Sequence, residues 1–386
     1  MKIHENILGM KNEIIEIRRD LHRIPEAGFE EYKTSEYIKN YLTAFGISFE
    51  EVAQTGIVGF VKGSVGEKTI AFRADMDALS MTELTELEFC SEHEGFMHGC
   101  GHDGHMAMLL GLAKYLSENQ GQLLDNVLLI FQPAEEGPGG AEVIIKEGIF
   151  DKYKVDEIYG IHLYPEVYQG KIAIKEGPLM AMTGEFDIVI KGEGGHGAIP
   201  HKALDAVIIA AEFISQVQTI ISRNINPIDP AVLTIGRMEA GERRNIIAEK
   251  AVLEGTLRAF SENVYNKVKE RVYDFKKGFE LSYGCTIEVE FRDMYPPVYN
   301  DSRLVQRIIE NDKECTYELI EPQMISEDFS YYQKSAPGVF MFLGTKNPEK
   351  NFVFPLHNSK FNFDEEVLLL GIQSYVRILE NNGSFE

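Results

Sequence analysis

Several short apolar runs in this chain have almost no polar residue inside them. Val58–Val61, Thr69–Phe72, Val127–Gln132, Glu157–Leu163, Lys171–Ile174 and Val339–Leu343 read as strands. Between them lie stretches with apolar residues at helical spacing: Ile7–Ile24 (stopped by Pro25), Glu30–Phe45, Met106–Leu116, Ala141–Glu147 and finally Glu365–Leu379. A strand that does not alternate with polar residues is buried on both faces. The pattern therefore demands a sheet covered by helices on each side, an α/β architecture.

The pattern changes in the middle of the chain. Phe186–Ile190, Ala203–Arg223, Ala231–Ile235, Ala251–Leu257, Ser261–Leu281 and Thr286–Phe291 follow one another as β-α-β-β-α-β, the ferredoxin-like order. Tyr295-Pro296-Pro297 then breaks the chain, and the α/β pattern resumes. With 386 residues, two cores are expected rather than one. The expectation is a mixed-sheet α/β catalytic domain, residues 1–182 and 296–386, interrupted by a smaller α+β lid or dimerisation domain at 183–295.

Composition excludes some partners. A formal net charge of -23 argues against nucleic acid and anionic membranes. No run of apolar residues looks long enough to span a bilayer, and the first residues lack the pattern of a secretory signal. The four cysteines lie far apart, at 90, 100, 285 and 315. That favours free thiols and a cytoplasmic protein.

Chemistry-bearing residues collect where predicted strands end, which is where such sheets build sites. Asp75 and Asp77 follow Thr69–Phe72 at i, i+2 spacing. Met97–His105 holds Cys100, His102, Asp103 and His105 between glycines, just before a helix. Glu135 and Glu136 follow Val127–Gln132. Adjacent glutamates in a buried site repel each other unless a cation is present. His162 ends a predicted strand, and His357 lies in Pro355-Leu356-His357-Asn358 after the sheet pattern resumes. Cys100, His102, Glu136, His162 and His357 together supply enough sulfur, nitrogen and oxygen donors for two divalent ions.

These residues carry a resemblance. The chain resembles the amidohydrolase branch of the aminoacylase and carboxypeptidase-type metallopeptidases, which includes hippurate hydrolases, N-acetyldiaminopimelate deacetylases and plant hydrolases of auxin–amino acid conjugates. The likeness begins at Arg18-Arg19-Asp20-Leu21-His22-Arg23-Ile24-Pro25-Glu26. It continues through Arg73–Leu79, His98–His105, Gln132–Gly140, Gly194-Gly195-His196-Gly197-Ala198 and Ser326-Glu327-Asp328-Phe329, and ends at His357. One departure is Ser80, where the branch usually has proline.

The resemblance implies roles. Cys100, His102, Glu136, His162 and His357 match metal ligands, and Glu135 the general base. Asp77 matches the aspartate that orients a metal-bound histidine. Asp75 stands where the wider family has a ligand histidine, so it is not expected to bind metal. His196 matches a lid histidine that contacts the reacting carbonyl. Asn245 and Arg258 are expected to hold the substrate carboxylate, with Arg244 a further candidate. His98 and His105 are expected to pack or support rather than bind metal.

The implied reaction is metal-dependent hydrolysis of an N-acyl amino acid, with an N-acetyl or aromatic acyl group, and N-acetyldiaminopimelate is one expected substrate. Two ions per subunit are expected. Thiolate and imidazole donors suit zinc, cobalt or nickel, and the carboxylates admit manganese. A homodimer or homotetramer is expected. The same machinery would serve a dipeptidase or carboxypeptidase. A more distant alternative is a non-catalytic metal-binding protein, for which Glu135 would have no use.

Overall fold

The structure is a computed structural model, and it describes residues 2–312 and 315–385. The chain divides into two compact units. The larger comprises residues 1–177, 299–321 and 328–386, and the smaller residues 178–298 and 322–327.

The larger unit is built on one eight-stranded sheet. Its order is Ser48–Val52, Gly56–Val61, Asn126–Gln132, Thr69–Asp75, Glu157–Tyr168, Gly338–Lys346, Ile172–Ile174 and Tyr317–Leu319. The sheet is mixed. Thr69–Asp75 pairs in parallel with both Asn126–Gln132 and Glu157–Tyr168, and Gly338–Lys346 runs parallel to Glu157–Tyr168. The Gly56–Val61 pairings are antiparallel. Every residue of Thr69–Asp75 is buried, as a strand covered on both faces must be. Helix His102–Glu118 lies in the core against helices Lys11–Arg23 and Val367–Asn381. Its apolar residues bury on every side, so truncating Leu109 or Leu112 to Ala would cost about 2–5 kcal/mol.

The predicted elements of this unit form with shifted ends. The strand Glu157–Leu163 runs on to Tyr168, and the helix expected from Met106 begins at His102. The helical stretch at the start divides into Glu5–Gly9 and Lys11–Arg23. The strands Ser48–Val52 and Tyr317–Leu319 have no counterpart in the sequence reading, because their apolar residues are few, and neither does the helix Ser302–Asn311, although Leu304, Val305 and Ile308 bury one of its faces.

The smaller unit carries a four-stranded antiparallel sheet, ordered Ala231–Ala240, Lys250–Ala259, Met182–Lys191 and Thr286–Asp293. Helices Ala206–Asn224 and Glu262–Tyr283 pack on it. Asp205 caps the first helix through the Val207 amide, and Ser261 caps the second through the Val264 amide. Ala206–Asn224 is long and apolar enough to cross a membrane by length and composition, contrary to the sequence expectation. Its buried residues Ala206, Ile209, Ala210, Phe213, Val217 and Ile220 recur at the spacing of one helix face. That face joins the core of the smaller unit.

Candidate metal centre

Sheet topology explains why distant residues meet. Thr69–Asp75 and Asn126–Gln132 are parallel, so their C-terminal ends fall on one side. Asp75 and Asp77 leave the first strand there, and Glu135 and Glu136 leave the second. Glu157–Tyr168 pairs with Thr69–Asp75 only as far as Gly160, opposite Arg73. His162 comes two residues later, at the same edge of the sheet. The left-handed Gly101 (φ +90°) precedes the helix whose first residue is His102. His357 also has positive φ, and its amide donates to the Gly99 carbonyl at 2.9 Å, tying the late segment to the Cys100 loop.

The five residues read as ligands meet in the larger unit. Donor atoms of Cys100, His102 and His162 lie within 4.8 Å of one another, as do those of Cys100, Glu136 and His357. A third such group is His102, Glu135 and Glu136. Cys100 Sγ is 3.4 Å from His162 Nε2, and Glu136 Oε1 is 3.0 Å from His357 Nε2.

Hydrogen bonds around the cluster orient its donors. His102 Nδ1 lies 2.8 Å from the Asp77 main-chain oxygen and 3.4 Å from its Oδ1. His162 Nδ1 lies 2.7 Å from the Leu163 carbonyl. An acceptor oxygen at Nδ1 requires the proton there, which leaves the Nε2 lone pair facing the cluster. Asp77 Oδ2 accepts from the Glu136 amide at 2.9 Å, so one carboxylate braces two of these residues. His105 differs. Its Nε2 accepts from the Leu163 amide at 2.9 Å and its Nδ1 donates to Asp75 Oδ1 at 2.6 Å, so both nitrogens are spent. Asp75 is likewise held by Arg73 at 2.6 Å.

Two observations show that the donor set fits a divalent cation. Among the described residues, the buried His102 Nε2 and Glu136 Oε1 have no hydrogen-bond partner. Glu136 Oε1 and His357 Nε2 are close but not aligned to bond each other, as donors aimed at a common third point would be. The local field agrees. Burial and the carboxylates Glu136 and Glu135 push the Cys100 thiol well above its ordinary value. Burial opposes protonation of His102, but Asp75, Asp77 and Glu136 outweigh it and push its pKa up to about 10. A dense negative field of this kind is neutralised by a cation or by protons.

Glu135 is buried beside the cluster, 7 % exposed. His196, Asn245 and Arg258 belong to the smaller unit. The exposed His196 pairs with Ile246 across a two-stranded ribbon, and the Gly197 amide donates to the Asn245 carbonyl at 2.9 Å, so His196 and Asn245 are neighbours. Arg258 Nη1 donates to the Met324 carbonyl at 2.6 Å. Arg244 lines a cavity of about 500 Å³ together with Gly197, Arg243 and Ile246.

The sequence reading assigned no role to a buried layer beneath the site. Arg73 donates to Gln132 and Asp328, and Asp328 also accepts from Gln132 and from the Ala141 amide. An arginine inside an apolar strand was the signal, since a buried guanidinium must be paired. Glu31, also fully buried, carried no such signal because it stands in the polar stretch Glu30-Glu31-Tyr32-Lys33.

Comparison with known proteins agrees. A model of the peptidase family M20/M25/M40 matches residues 71–381. The N-acetyldiaminopimelate deacetylase of Priestia megaterium is 41% identical over 97% of this chain and 99% of that protein. The enzyme of the same name from Listeria monocytogenes serovar 1/2a is 43% identical over 96% of this chain and 100% of its own length. Among solved structures, the Bacillus subtilis YXEP protein, described as a dinuclear metal-binding peptidase of the M20 family, superposes with a TM-score of 0.85. It is 33% identical and covers 96% of this chain and 98% of its own. Sequence, fold and clustered donors thus agree that this chain belongs to peptidase family M20/M25/M40 and is a metal-dependent amide hydrolase.

Proposed function

We propose that the protein removes the acyl group from an N-acylated amino acid, with N-acetyldiaminopimelate as the first substrate to try. The observation that carries this reading is the cluster of ligand-type side chains with donor atoms within 4.8 Å of one another, His102 Nε2 and Glu136 Oε1 without a hydrogen-bond partner among the described residues, and Glu135 beside them. The names of the deacetylase relatives supply the substrate.

In this reading Cys100, His102, Glu136, His162 and His357 hold two divalent ions. Such ions acidify water and polarise an amide carbonyl. Glu135 accepts the proton of the attacking water and passes it to the leaving amine. Asp77 keeps the His102 proton on Nδ1 and steadies the Glu136 backbone. His196 donates to the carbonyl oxygen as it gains negative charge. Asn245 and Arg258 pair with the substrate carboxylate. The products are a carboxylate and a free amino acid.

The reading extends to a homodimer or homotetramer in the cytoplasm. The four cysteines are free, which supports a reducing compartment. A panel of N-acetyl amino acids, including N-acetyldiaminopimelate, and of dipeptides, assayed with added manganese, zinc, cobalt or nickel, tests the reading. Cleavage of dipeptides alone would replace it with a dipeptidase.

A further inference from the structure

Glu31 lies outside every set of residues described above as ligand, base or substrate contact. Its side chain is fully buried, 0 % exposed, and the partners of its carboxylate are neutral groups. One carboxylate oxygen accepts from the Ala134 amide at 2.9 Å, and the other accepts from the Thr55 hydroxyl. A buried carboxylate without a countercharge costs free energy unless its hydrogen bonds return it, and here they come from neutral donors, the Ala134 amide, the Thr55 hydroxyl and the Glu31 amide itself.

Ala134 immediately precedes Glu135. Its φ is +55°, in the left-handed region, where a residue with a Cβ is strained. The conformation reverses the chain after Pro133 and determines where Glu135 points. Neighbouring contacts hold the same turn. The Gly139 and Gly140 amides both donate to the Ala134 carbonyl, at 3.0 and 3.1 Å. Gly28 backs directly onto it: a Cβ at Gly28 would come within 2.8 Å of Ala134 Cβ and 2.9 Å of the Gly137 oxygen. The segment from Gly28 to Glu31 is therefore pressed against the turn, and the Glu31 carboxylate is its one polar grip on the Ala134 amide.

We propose that Glu31 is a positioning residue for the reaction: by holding the Ala134 amide it fixes the left-handed turn that aims Glu135 at the metal cluster. This rests on Glu135 acting as the base and adds to that reading the element that orients it. Burial raises the Glu31 pKa to about 7, so the carboxylate is kept at this position against its own solvation.

The experiment compares wild type, Glu31→Ala, Glu31→Gln and Glu135→Gln, each loaded with manganese. The readouts are kcat and KM on an N-acetyl amino acid, bound metal, Tm and hydrogen exchange across residues 132–140. Glu31→Ala is expected to lower kcat by about 100-fold with KM changed less than about 3-fold, because a misaimed group of this kind costs that much. Metal content should be retained, and exchange at the turn should rise. Glu31→Gln should recover most of the lost kcat, since its amide oxygen still accepts from Ala134. Wild-type kcat per folded, metal-loaded Glu31→Ala molecule would overturn the proposal, as would a Glu31→Gln variant no better than Glu31→Ala. Should Glu31→Ala fail to fold, Gly28→Ala displaces the same turn from its other side, and an unchanged kcat there overturns the proposal equally. Full activity in Glu135→Gln would instead sink the base itself.

Discussion

Two buried polar clusters stand a few residues apart on the Cys100–His105 segment, and they behave oppositely. Asp103 reaches one of them. Its Oδ2 takes hydrogen bonds from Arg18 Nε at 2.7 Å and His22 Nδ1 at 2.8 Å. His22 Nε2 lies 3.2 Å from Glu83, and Arg18 also bonds Glu365 and Asn362. Charge meets countercharge throughout. His102, its neighbour in the chain, reaches the other, where negative groups gather around an imidazole nitrogen with no hydrogen-bond partner among the described residues. The difference separates a cluster whose charges are matched by neighbouring side chains, although Asp103 Oδ1 has no hydrogen-bond partner among the described residues, from one whose negative groups call for a cation. Burial alone does not make a site; unbalanced burial does.

The comparison breaks most sharply at Glu135. Glu135→Gln should lower kcat by about 1,000-fold with metal still bound, measured in a steady-state assay beside a metal analysis. Next in size is the ligand cluster. Cys100→Ser or His102→Asn should weaken metal binding by about 100-fold in a chelator competition, while the metal-free protein keeps its Tm to within a few degrees. The charge-matched cluster should respond the other way. Asp103→Asn leaves the buried Arg18 short of its counterion and should cost about 3–5 kcal/mol in urea unfolding of the metal-free protein.

The smallest effect is a pH dependence. Burial opposes ionisation of Glu83, but its bonds to His22, the Ser91 amide and Thr85 lower its pKa to about 2. A carboxyl held below its unfolded value stabilises the fold above about pH 4.5, and that contribution is lost as pH falls toward 2. Burial likewise opposes ionisation of Asp103, and Arg18 and His22 outweigh it. His22 has the opposite sign. Burial disfavours its cation, yet Asp103 and Glu83 raise its pKa, so its share is complete below about pH 6.5 and fades above. Glu83→Gln should therefore be less stable than wild type above about pH 4.5, and its stability should vary less between pH 4.5 and 2. Urea titrations at fixed pH values read both slopes.

Much of this was legible in the residues. Continuous apolar strands such as Val127–Gln132 announced a sheet covered on both faces, because only burial tolerates such runs. The β-α-β-β-α-β order from Phe186 announced the second sheet. Cys100 and His102 were legible because a thiol, an imidazole and glycines before an apolar helix are chemically conspicuous. His357 was a weak candidate by itself, since nothing within Pro355–Asn358 distinguishes it from a surface histidine, and it gained weight from the other donors and from the resemblance.

What the sequence determined by itself was local: which runs must be strands or helices, and which residue types were available at their ends. Tertiary structure decided the rest. The parallel pairing of Thr69–Asp75 with Asn126–Gln132 and Glu157–Tyr168 put Asp77, Glu136 and His162 at one edge. The histidines of Met97–His105 were indistinguishable as a string. Among the described residues, packing gave His105 two hydrogen-bond partners, gave His98 none and left His102 one nitrogen to spare. Glu31 shows the same limit, for a glutamate in a polar stretch looks exposed until the Ala134 turn closes over it. Hydrogen-bond balance is a property of neighbours far apart in the chain, so only the folded molecule can show which donors remain unspent.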